Sequence, residues 1–190
     1  MRACNVENAV RFATLFSRNG GYGVKQLTLF EVHMEKGAHF SPCRVWRYSL
    51  WRIWDPSKPA IAFCCLNPST ADELIDDPTI RRCIQFSRNW GFGSFTMLNA
   101  YAFRSTDPRG LKTIDNPVGE ENDAVLGSVA ARVQEIIVGW GVHCDPERAK
   151  AVLKILGKVH CLGVNENGSP KHPLYIRGDV ERQVYGYPTV

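Results

Sequence analysis

Three polar side chains of this sequence, Asn67, Asn99 and His172, have types and settings that suit chemistry. Asn67 lies in "LNPSTAD" after an apolar run, Asn99 ends the run "FTMLN", and His172 lies in "PKHPLY". An amide offers one acceptor oxygen and two N–H donors, so it can orient a water molecule or pair with a polar ligand edge. Histidine gives or takes a proton near neutral pH. Side chains of these types at the ends of buried strands are suited to contact a bound ligand.

Each of these side chains also has a structural interpretation. Asn67 is suited to cap a helix or shape a turn, and Asn99 to end a strand in a turn. A single loop histidine is usually a surface residue. Ser69 and Thr70 favour helix capping over catalysis. The sequence alone leaves these alternatives open.

Nearby carboxylates are the second group of candidates, because an amide is a poor general base. Asp72, Asp76 and Asp77 follow Asn67 along the chain, and any of them would supply a stronger base. Asp107, in "STDP", is typical of a turn. The spacing does not choose among these four, and we take Asp72 as the catalytic candidate.

The seven cysteines form no C-x-x-C pair, which favours buried, reduced thiols over a zinc site or a disulfide framework. His143 and Cys144 are neighbours and could be interpreted as a nucleophile pair. Side chains adjacent in sequence diverge, however, which speaks against that interpretation.

Alternating apolar and amphipathic segments must position these residues. Four apolar runs, "PAIAFCCL", "SFTMLNAYAF", "EIIVGWG" and "VHCLGV", alternate with three helical patterns, two of which start at Asp-Pro. Such alternation is typical of a parallel sheet layered with helices, whose ligands bind beyond the carboxyl ends of the strands. We therefore predict that "LNPSTAD", "LNAYAFRSTDP", "GWGVHCDP" and "GSPKHPLY" meet at one cleft.

Length and composition predict one globular domain over 1–190, with a less regular extension at 1–42 and a core at 43–190. The chain has 190 residues, of which 44% are hydrophobic and 22% charged. No run is apolar for long enough to span a bilayer, and the first residues lack a signal peptide. We expect a cytoplasmic protein with an N-terminal strand or hairpin extension. The "CRVWRYSLWRIW" segment is typical of a strand or hairpin with one apolar face.

The charge pattern permits nucleic-acid binding. The formal net charge is only +4, but Arg44, Arg47 and Arg52 alternate with aromatic residues, and Arg81 and Arg82 are paired. One interpretation is a set of phosphate contacts around a cleft, and the other is an ordinary solvated surface.

Several of these segments together resemble a bacterial and phage family of unknown function, from about Cys43 onward. The segments that carry the resemblance are "RYSLWR", "LNPSTAD", "DPTIRRC", "NAYAFRSTDP", "GEEND", "GWG" and "GSPKHPLY". This resemblance implies a family but no activity.

The order of the motifs is also similar to that of the uracil-DNA glycosylase superfamily. Four features correspond to its successive motifs: the Asn-Pro at Asn67, the strand end at Asn99, the Trp140-Gly pair and the His-Pro-Leu at His172. The glycine two positions before the first-motif Asn is missing, the last loop is two residues shorter, and Asn67 stands where the strongest members carry Asp. The resemblance implies a three-layer α/β/α sandwich around a short, mainly parallel, four-stranded sheet.

The resemblance further implies a DNA glycosylase that flips out a non-standard pyrimidine and hydrolyses its N-glycosidic bond, leaving an abasic site. The base is uracil or a modified base such as those of phage DNA, in a repair or defence role. DNA is the implied partner, with no cofactor, no metal and no membrane, and we expect a monomer. The implied catalytic residues are Asn67, His172 and Asp72. The implied base-binding residues are Asn99, Tyr101, Phe103, Pro68 and Ser69. The implied DNA-binding residues are Arg81, Arg82, Arg104, Lys171, Leu174 and Tyr175.

Two other functions stay open. One is a nucleic-acid-binding protein without catalysis, and the other is a nucleotide-directed DNA-modification enzyme, because a fold does not fix a function.

Overall fold

Seven strands form one mixed sheet in residues 34–186, the part of the chain that this computed structural model describes. They are β1 (Glu35–Phe40), β2 (Arg47–Ile53), β3 (Ala60–Cys65), β4 (Ser94–Asn99), β5 (Glu135–Val138), β6 (Val159–Cys161) and β7 (Gln183–Tyr185). Their order across the sheet is β1-β2-β4-β3-β5-β6-β7. The neighbours β4, β3, β5 and β6 pair in parallel, whereas β1, β2 and β7 pair antiparallel toward the edges.

The predicted α/β class is confirmed, but the prediction of a four-stranded sheet is wrong. The "RYSLWRI" strand β2 does not stand apart as an extension, because it pairs with β4 over Leu50–Ile53 and carries β1 on its other side. Strand β7, "QVY", is too short to give a period-two pattern in the sequence. Edge strands of this kind are placed by pairing partners rather than by their own composition.

Three helices connect the parallel strands: α1 (Pro78–Asn89), α2 (Asn122–Ala130) and α3 (Pro146–Leu156). Helix α1 begins at the predicted Asp-Pro, because Asp77 accepts a hydrogen bond from the Ile80 amide and Pro78 has no amide hydrogen to satisfy. Helix α3 begins in the same way at Asp145. The "TADELIDD" segment before α1 forms a loop, so the helical pattern begins only at the Asp-Pro.

Helices cover both faces of the sheet. On β3, Ile61 and Phe63 point to the α1 side, and Ala62 and Cys64 point to the side of α2 and α3. Successive strand residues alternate between faces, so burial of both faces requires a continuous apolar run, as in "AIAFCC". Each large apolar side chain fully buried in these cores contributes about 1.5–3 kcal/mol to folding.

The described residues belong to one compact unit. Within the predicted less regular extension, residues 35–40 form the regular strand β1. Residues 1–33 and 187–190 lie outside the described part, so the single domain over 1–190 stays a prediction.

Candidate functional site

The carboxyl ends of the four parallel strands open into a cavity of about 470 Å³. Asn67 follows β3, Asn99 ends β4, Trp140 follows β5, and His172 lies in the loop after β6, and all four residues line this cavity. The first turn of α1 also contributes, through Thr79 and Ile80. The parallel register therefore brings together three polar residues that are far apart in sequence.

Asn67 is held with its amide nitrogen turned toward protein. Its Nδ2 donates to the backbone carbonyls of Ser105 at 2.8 Å and Pro68 at 3.1 Å. The Ser105 amide in turn donates to the Pro68 carbonyl, so the loops after β3 and β4 are joined. No protein donor within residues 34–186 bonds to Asn67 Oδ1, which leaves that oxygen as an acceptor for a ligand or a water.

Asn99 is 2% exposed and its carbonyl is used by a buried arginine. Nη2 of Arg47 donates to Asn99 Oδ1 at 3.2 Å, and Nη1 donates to the Ala71 carbonyl at 2.9 Å. Arg47 is itself 2% exposed and lines the cavity. Burial lowers the pKa of Arg47 to about 10, partly offset by the charge of Asp77, so the guanidinium stays protonated at neutral pH.

His172 is fixed in one neutral form. Its Nδ1 accepts a hydrogen bond from the Leu174 amide at 3.3 Å, so the single proton of the neutral ring lies on Nε2. Burial lowers the pKa of His172, with the charge of Asp77 acting in the opposite direction. The cavity thus contains a neutral imidazole with a free N–H donor.

Among the four candidate carboxylates, only Asp77 lines the cavity. Asp77 Oδ1 caps α1, and no hydrogen bond within the described residues reaches its Oδ2. Asp72 Oδ1 is bound by the amides of Leu74 and Ile75 at 2.8 and 2.7 Å, which lowers the pKa of Asp72 and fixes a turn. The structure therefore does not bring Asp72 to the site, and Asp77 takes the position expected for it.

The other two carboxylates have structural partners. Asp76 pairs with Arg52, and Asp107 caps the 3-10 turn Pro108–Lys112 and pairs with Arg109. The turn at "STDP" predicted for Asp107 is therefore present.

Two arginines of β2 hold the loop between Asn67 and Asp77. The side chain of Arg52 is fully buried, with Nε and Nη2 at 2.8 and 2.7 Å from Asp76 Oδ1 and Nη2 at 2.9 Å from the Asp72 carbonyl. Arg47 holds the Ala71 carbonyl of the same loop. Because both guanidiniums bind backbone as well as side chain, the loop is fixed on the sheet and carries Asn67 and Asp77 with it.

The loop that carries His172 approaches the end of β5 closely. A Cβ placed on Gly139 would lie 2.7 Å from Pro173 Cδ and 3.0 Å from the Lys171 carbonyl oxygen. Only glycine leaves room for this contact, which explains the first glycine of "GWG". The Gly141 amide adds a hydrogen bond to the Pro170 carbonyl at 2.9 Å.

The predicted stacking residues do not reach the cavity. Tyr101 is 8% exposed, packs in the core beneath α2 and α3, and its hydroxyl accepts from the Asp145 amide at 3.3 Å. Phe103 forms an isolated bridge with Trp46. Pro68 is buried and does not line the cavity, whereas Ser69 does. Aromatic groups are supplied instead by Trp140, buried, and by Tyr175, which is 82% exposed.

The predicted DNA-binding residues divide into two groups. Leu174 and Tyr175 line the cavity. The others are not part of its lining: Arg81, Arg82, Arg104 and Lys171. Arg82 Nη2 donates to the Ile176 carbonyl and its guanidinium lies over Phe86, which ties α1 to the turn after His172. These contacts are structural, whereas Arg81 and Lys171 are exposed.

The sequence interpretation missed Arg47 as a site residue. An arginine at the start of an apolar strand was the available signal for a buried charge. The structure shows "RYSL" buried at every position. Choosing Asp77 over its neighbours required the tertiary structure.

The cysteine chemistry considered above is not supported. Burial raises the pKa of Cys144 to about 12, and the same cause raises the pKa of Cys65 to about 12. His143 lines the cavity but Cys144 does not. Within residues 34–186, no three His, Cys, Asp or Glu side chains are grouped to hold a metal ion, and every helix is too short or too polar to cross a bilayer.

A family described as "Protein of unknown function (DUF1643)" matches residues 47–174 of this chain. No curated protein and no solved structure matches it significantly. The matched range begins at Arg47 and ends just after His172, so it includes every segment that lines the cavity except Tyr175.

Proposed function

The chain belongs to the DUF1643 family, and we propose that this member is a DNA glycosylase acting on a non-standard pyrimidine, either uracil or a modified base such as those of phage DNA. The enzyme flips the nucleotide, hydrolyses its N-glycosidic bond and leaves an abasic site.

One observation carries the proposal. A water-orienting amide, a carboxylate and a neutral imidazole belong to residues that line a single cavity: Asn67, Asp77 and His172. Hydrolysis of an N-glycosidic bond needs a positioned water on one side of the sugar and donors to the departing base on the other. The order of the motifs supports the same function, because Asn67, Asn99, Trp140 and His172 follow one another as in the uracil-DNA glycosylase superfamily.

The chain's own groups can complete the reaction. Asn67 Oδ1 holds the water and Asp77 takes its proton, while the water oxygen bonds to C1′ of the sugar. The bond from C1′ to the base nitrogen breaks and leaves its electron pair on the base. His172 Nε2–H donates to the base oxygen on which negative charge develops. A neutral donor is sufficient, because the hydrogen bond strengthens as that charge forms.

The size of the cavity bears on the substrate. Its volume of about 470 Å³ lies in the range of about 300–1,000 Å³ typical of pockets for drug-sized ligands. It therefore has room for a pyrimidine that carries a bulky substituent as well as for uracil. Leu174 and Tyr175 line the cavity and are suited to fill the space that the extruded base leaves in the duplex.

The test is incubation with duplex DNAs that each carry one pyrimidine: cytosine, uracil, 5-hydroxymethyluracil, 5-hydroxymethylcytosine or glucosylated 5-hydroxymethylcytosine. Alkali then cleaves at abasic sites, and a glycosylase gives strand breaks with at least one of these bases. Binding that weakens steeply with salt, without breaks, would instead indicate a non-catalytic binder. Turnover of free nucleotides but not of DNA would indicate a nucleotide-directed enzyme.

A further inference from the structure

A second cavity, of about 550 Å³, is bounded by α2 and by the sheet, and it shares no lining residue with the cavity at the strand ends. Four neighbouring strands form its floor, through His39 of β1, Ser49 and Trp51 of β2, Ala60 of β3 and Thr96 of β4. Its volume lies in the range of about 300–1,000 Å³ typical of small-molecule pockets. None of its residues has a part in the proposed base excision.

Apolar and aromatic groups form one part of this second cavity. The indole of Trp51 lies close against Gly37 of β1, where a Cβ would be 2.2 Å from Trp51 Cζ2. Only a glycine in the neighbouring strand leaves room for the ring there. The wall on the side of α2 consists of Val125, Val129 and Val133. An indole and a row of valines suit the faces of a planar ring.

Three hydrogen-bonding groups of the floor have no partner in the protein. No hydrogen bond of residues 34–186 involves the Ser49 hydroxyl, the Thr96 hydroxyl or the Trp51 indole N–H. Ser49 is 7% exposed, and a hydroxyl so deeply buried is costly to leave unpaired. Because a hydroxyl both donates and accepts, Ser49 and Thr96 suit the polar edge of a heterocycle.

Arg132 supplies a positive charge at the side of α2. Its Nε and Nη2 donate to the carbonyl and the Oγ of Ser128 at 2.9 and 2.7 Å, which holds the guanidinium beside the cavity. No carboxylate of the described residues pairs with Arg132, whereas Arg148 of α3 pairs with Asp123. The remaining N–H groups of Arg132 are therefore free to bind an anion.

We propose that this second cavity binds a nucleoside monophosphate, with its base against Trp51, the edge of the base on Ser49 and Thr96, and its phosphate on Arg132. A nucleotide combines the three features that the lining asks for: a planar ring, a polar ring edge and an anion. A purely aromatic carboxylate would leave the buried hydroxyls unpaired, and a sugar phosphate would leave the indole and the valines uncovered.

The experiment is a ¹H–¹⁵N NMR titration of the full chain with AMP and with dTMP. We expect saturable shifts of the Trp51 indole N–H and of the Ser49 and Thr96 amides. Adenosine, which lacks the phosphate, should bind at least about tenfold more weakly than AMP, the scale of one hydrogen bond to a charged group. Ribose 5-phosphate, which lacks the base, should bind more weakly by about fivefold or more, because stacking on the indole is lost.

Two variants assign the contacts. Arg132→Gln should weaken the binding of AMP at least about tenfold and remove the difference between AMP and adenosine. Thr96→Val keeps the shape of the side chain and removes its hydroxyl, which should weaken AMP by about 2–10-fold. Lys158→Gln is the control, because Lys158 is an exposed cation that lines neither cavity, and its affinity for AMP should equal that of the wild type.

Several results would overturn the inference: no binding of AMP and dTMP, shifts confined to the cavity at the strand ends, equal affinity for AMP and adenosine, or unchanged affinity in Arg132→Gln. Arg132 is exposed, so its replacement tests the phosphate contact without removing core packing. The assay for abasic sites tests the proposed function separately, because the two cavities have no residue in common.

Discussion

The backbone amide of Leu174 donates to Nδ1 of His172 at 3.3 Å, and this contact sets the protonation form of the histidine. A second proton on the ring would have to lie on Nδ1 and would face the Leu174 N–H. Burial acts in the same direction and lowers the pKa of His172. The imidazole therefore keeps one N–H, on Nε2, at neutral pH.

This arrangement gives a pH prediction with a defined sign. The unfolded chain takes up the proton near its ordinary pKa of about 6.5, and the folded chain only at lower pH. Between these values the unfolded state binds more protons, so stability decreases as the pH falls through that window. A ¹H–¹⁵N titration of the ring should give a pKa below that of an unfolded peptide. A raised pKa would contradict the assigned tautomer.

Removal of the ring should slow base release without unfolding the protein. We expect His172→Ala to reduce the single-turnover rate by about 10²–10³, the loss seen when one donor to a developing anion is removed. His39→Ala is the control, because His39 lies on β1 and pairs with Glu121 outside the cavity. Equal rates for His172→Ala and the wild type would remove this residue from the mechanism.

Asp77→Asn separates helix capping from catalysis. Asparagine caps a helix as well as aspartate does, so the melting temperature should change little. The loss of the proton acceptor should lower base release by about 10²–10⁴. Asp145→Asn, the corresponding cap of α3 outside the cavity, should leave the rate unchanged. If Asp77→Asn keeps the wild-type rate, Asp77 is not the proton acceptor, and a neighbouring carboxylate has to be tested in its place.

Asn67→Ala tests the positioned water. The substitution removes the Oδ1 acceptor and also the 2.8 Å bond to the Ser105 carbonyl that joins two loops. The rate of base release should fall by at least about 10²-fold. The free energy of unfolding should decrease by about 0.5–1.5 kcal/mol, the contribution of one hydrogen bond. Urea denaturation and single-turnover assays measure the two effects separately. A loss of stability with a normal rate would assign Asn67 a purely structural role.

Gly139→Ala should displace the His172 loop, because its Cβ would lie 2.7 Å from Pro173 Cδ. Overpacking of this kind costs about 1–3 kcal/mol, and base release should decrease with it. Gly127→Ala is the matched control. Its Cβ would meet Ile155 at an ordinary 3.7 Å, and alanine within α2 should stabilise the helix by about 1 kcal/mol. Calorimetry of the two variants should thus give shifts of opposite sign, and a stabilised Gly139→Ala would disprove the close approach.

Asp76→Ala should destabilise the chain strongly, since Arg52 has a fully buried side chain and would lose its carboxylate. Breaking a buried pair in this way costs about 3–5 kcal/mol. Asp179→Ala, which removes the exposed partner of Arg177, should have no measurable effect on the urea midpoint. Similar midpoints for both variants would show that the Arg52 contact does not hold the loop.

Much of this fold could be predicted from the sequence, because it depends on local interactions. The Asp-Pro starts of α1 and α3 depend on hydrogen bonds within one turn. The strands β3, β4 and β5 could be recognised by their continuous apolar runs, because a sheet covered on both faces requires such runs. Parallel strands end at the same edge, so the meeting of Asn67, Asn99 and His172 at one cavity also followed from the alternation of elements.

The tertiary structure alone decided which charges are buried and which carboxylate faces the cavity. Arg52 and Asp76 are 24 positions apart, and Arg47 and Asn99 are 52 apart, so no local pattern relates the members of either pair. Tyr101 has the aromatic ring of a stacking residue, but that ring packs in the core. Burial of a polar group is stabilised only by its partners in space, which the chain brings together after the strands have paired.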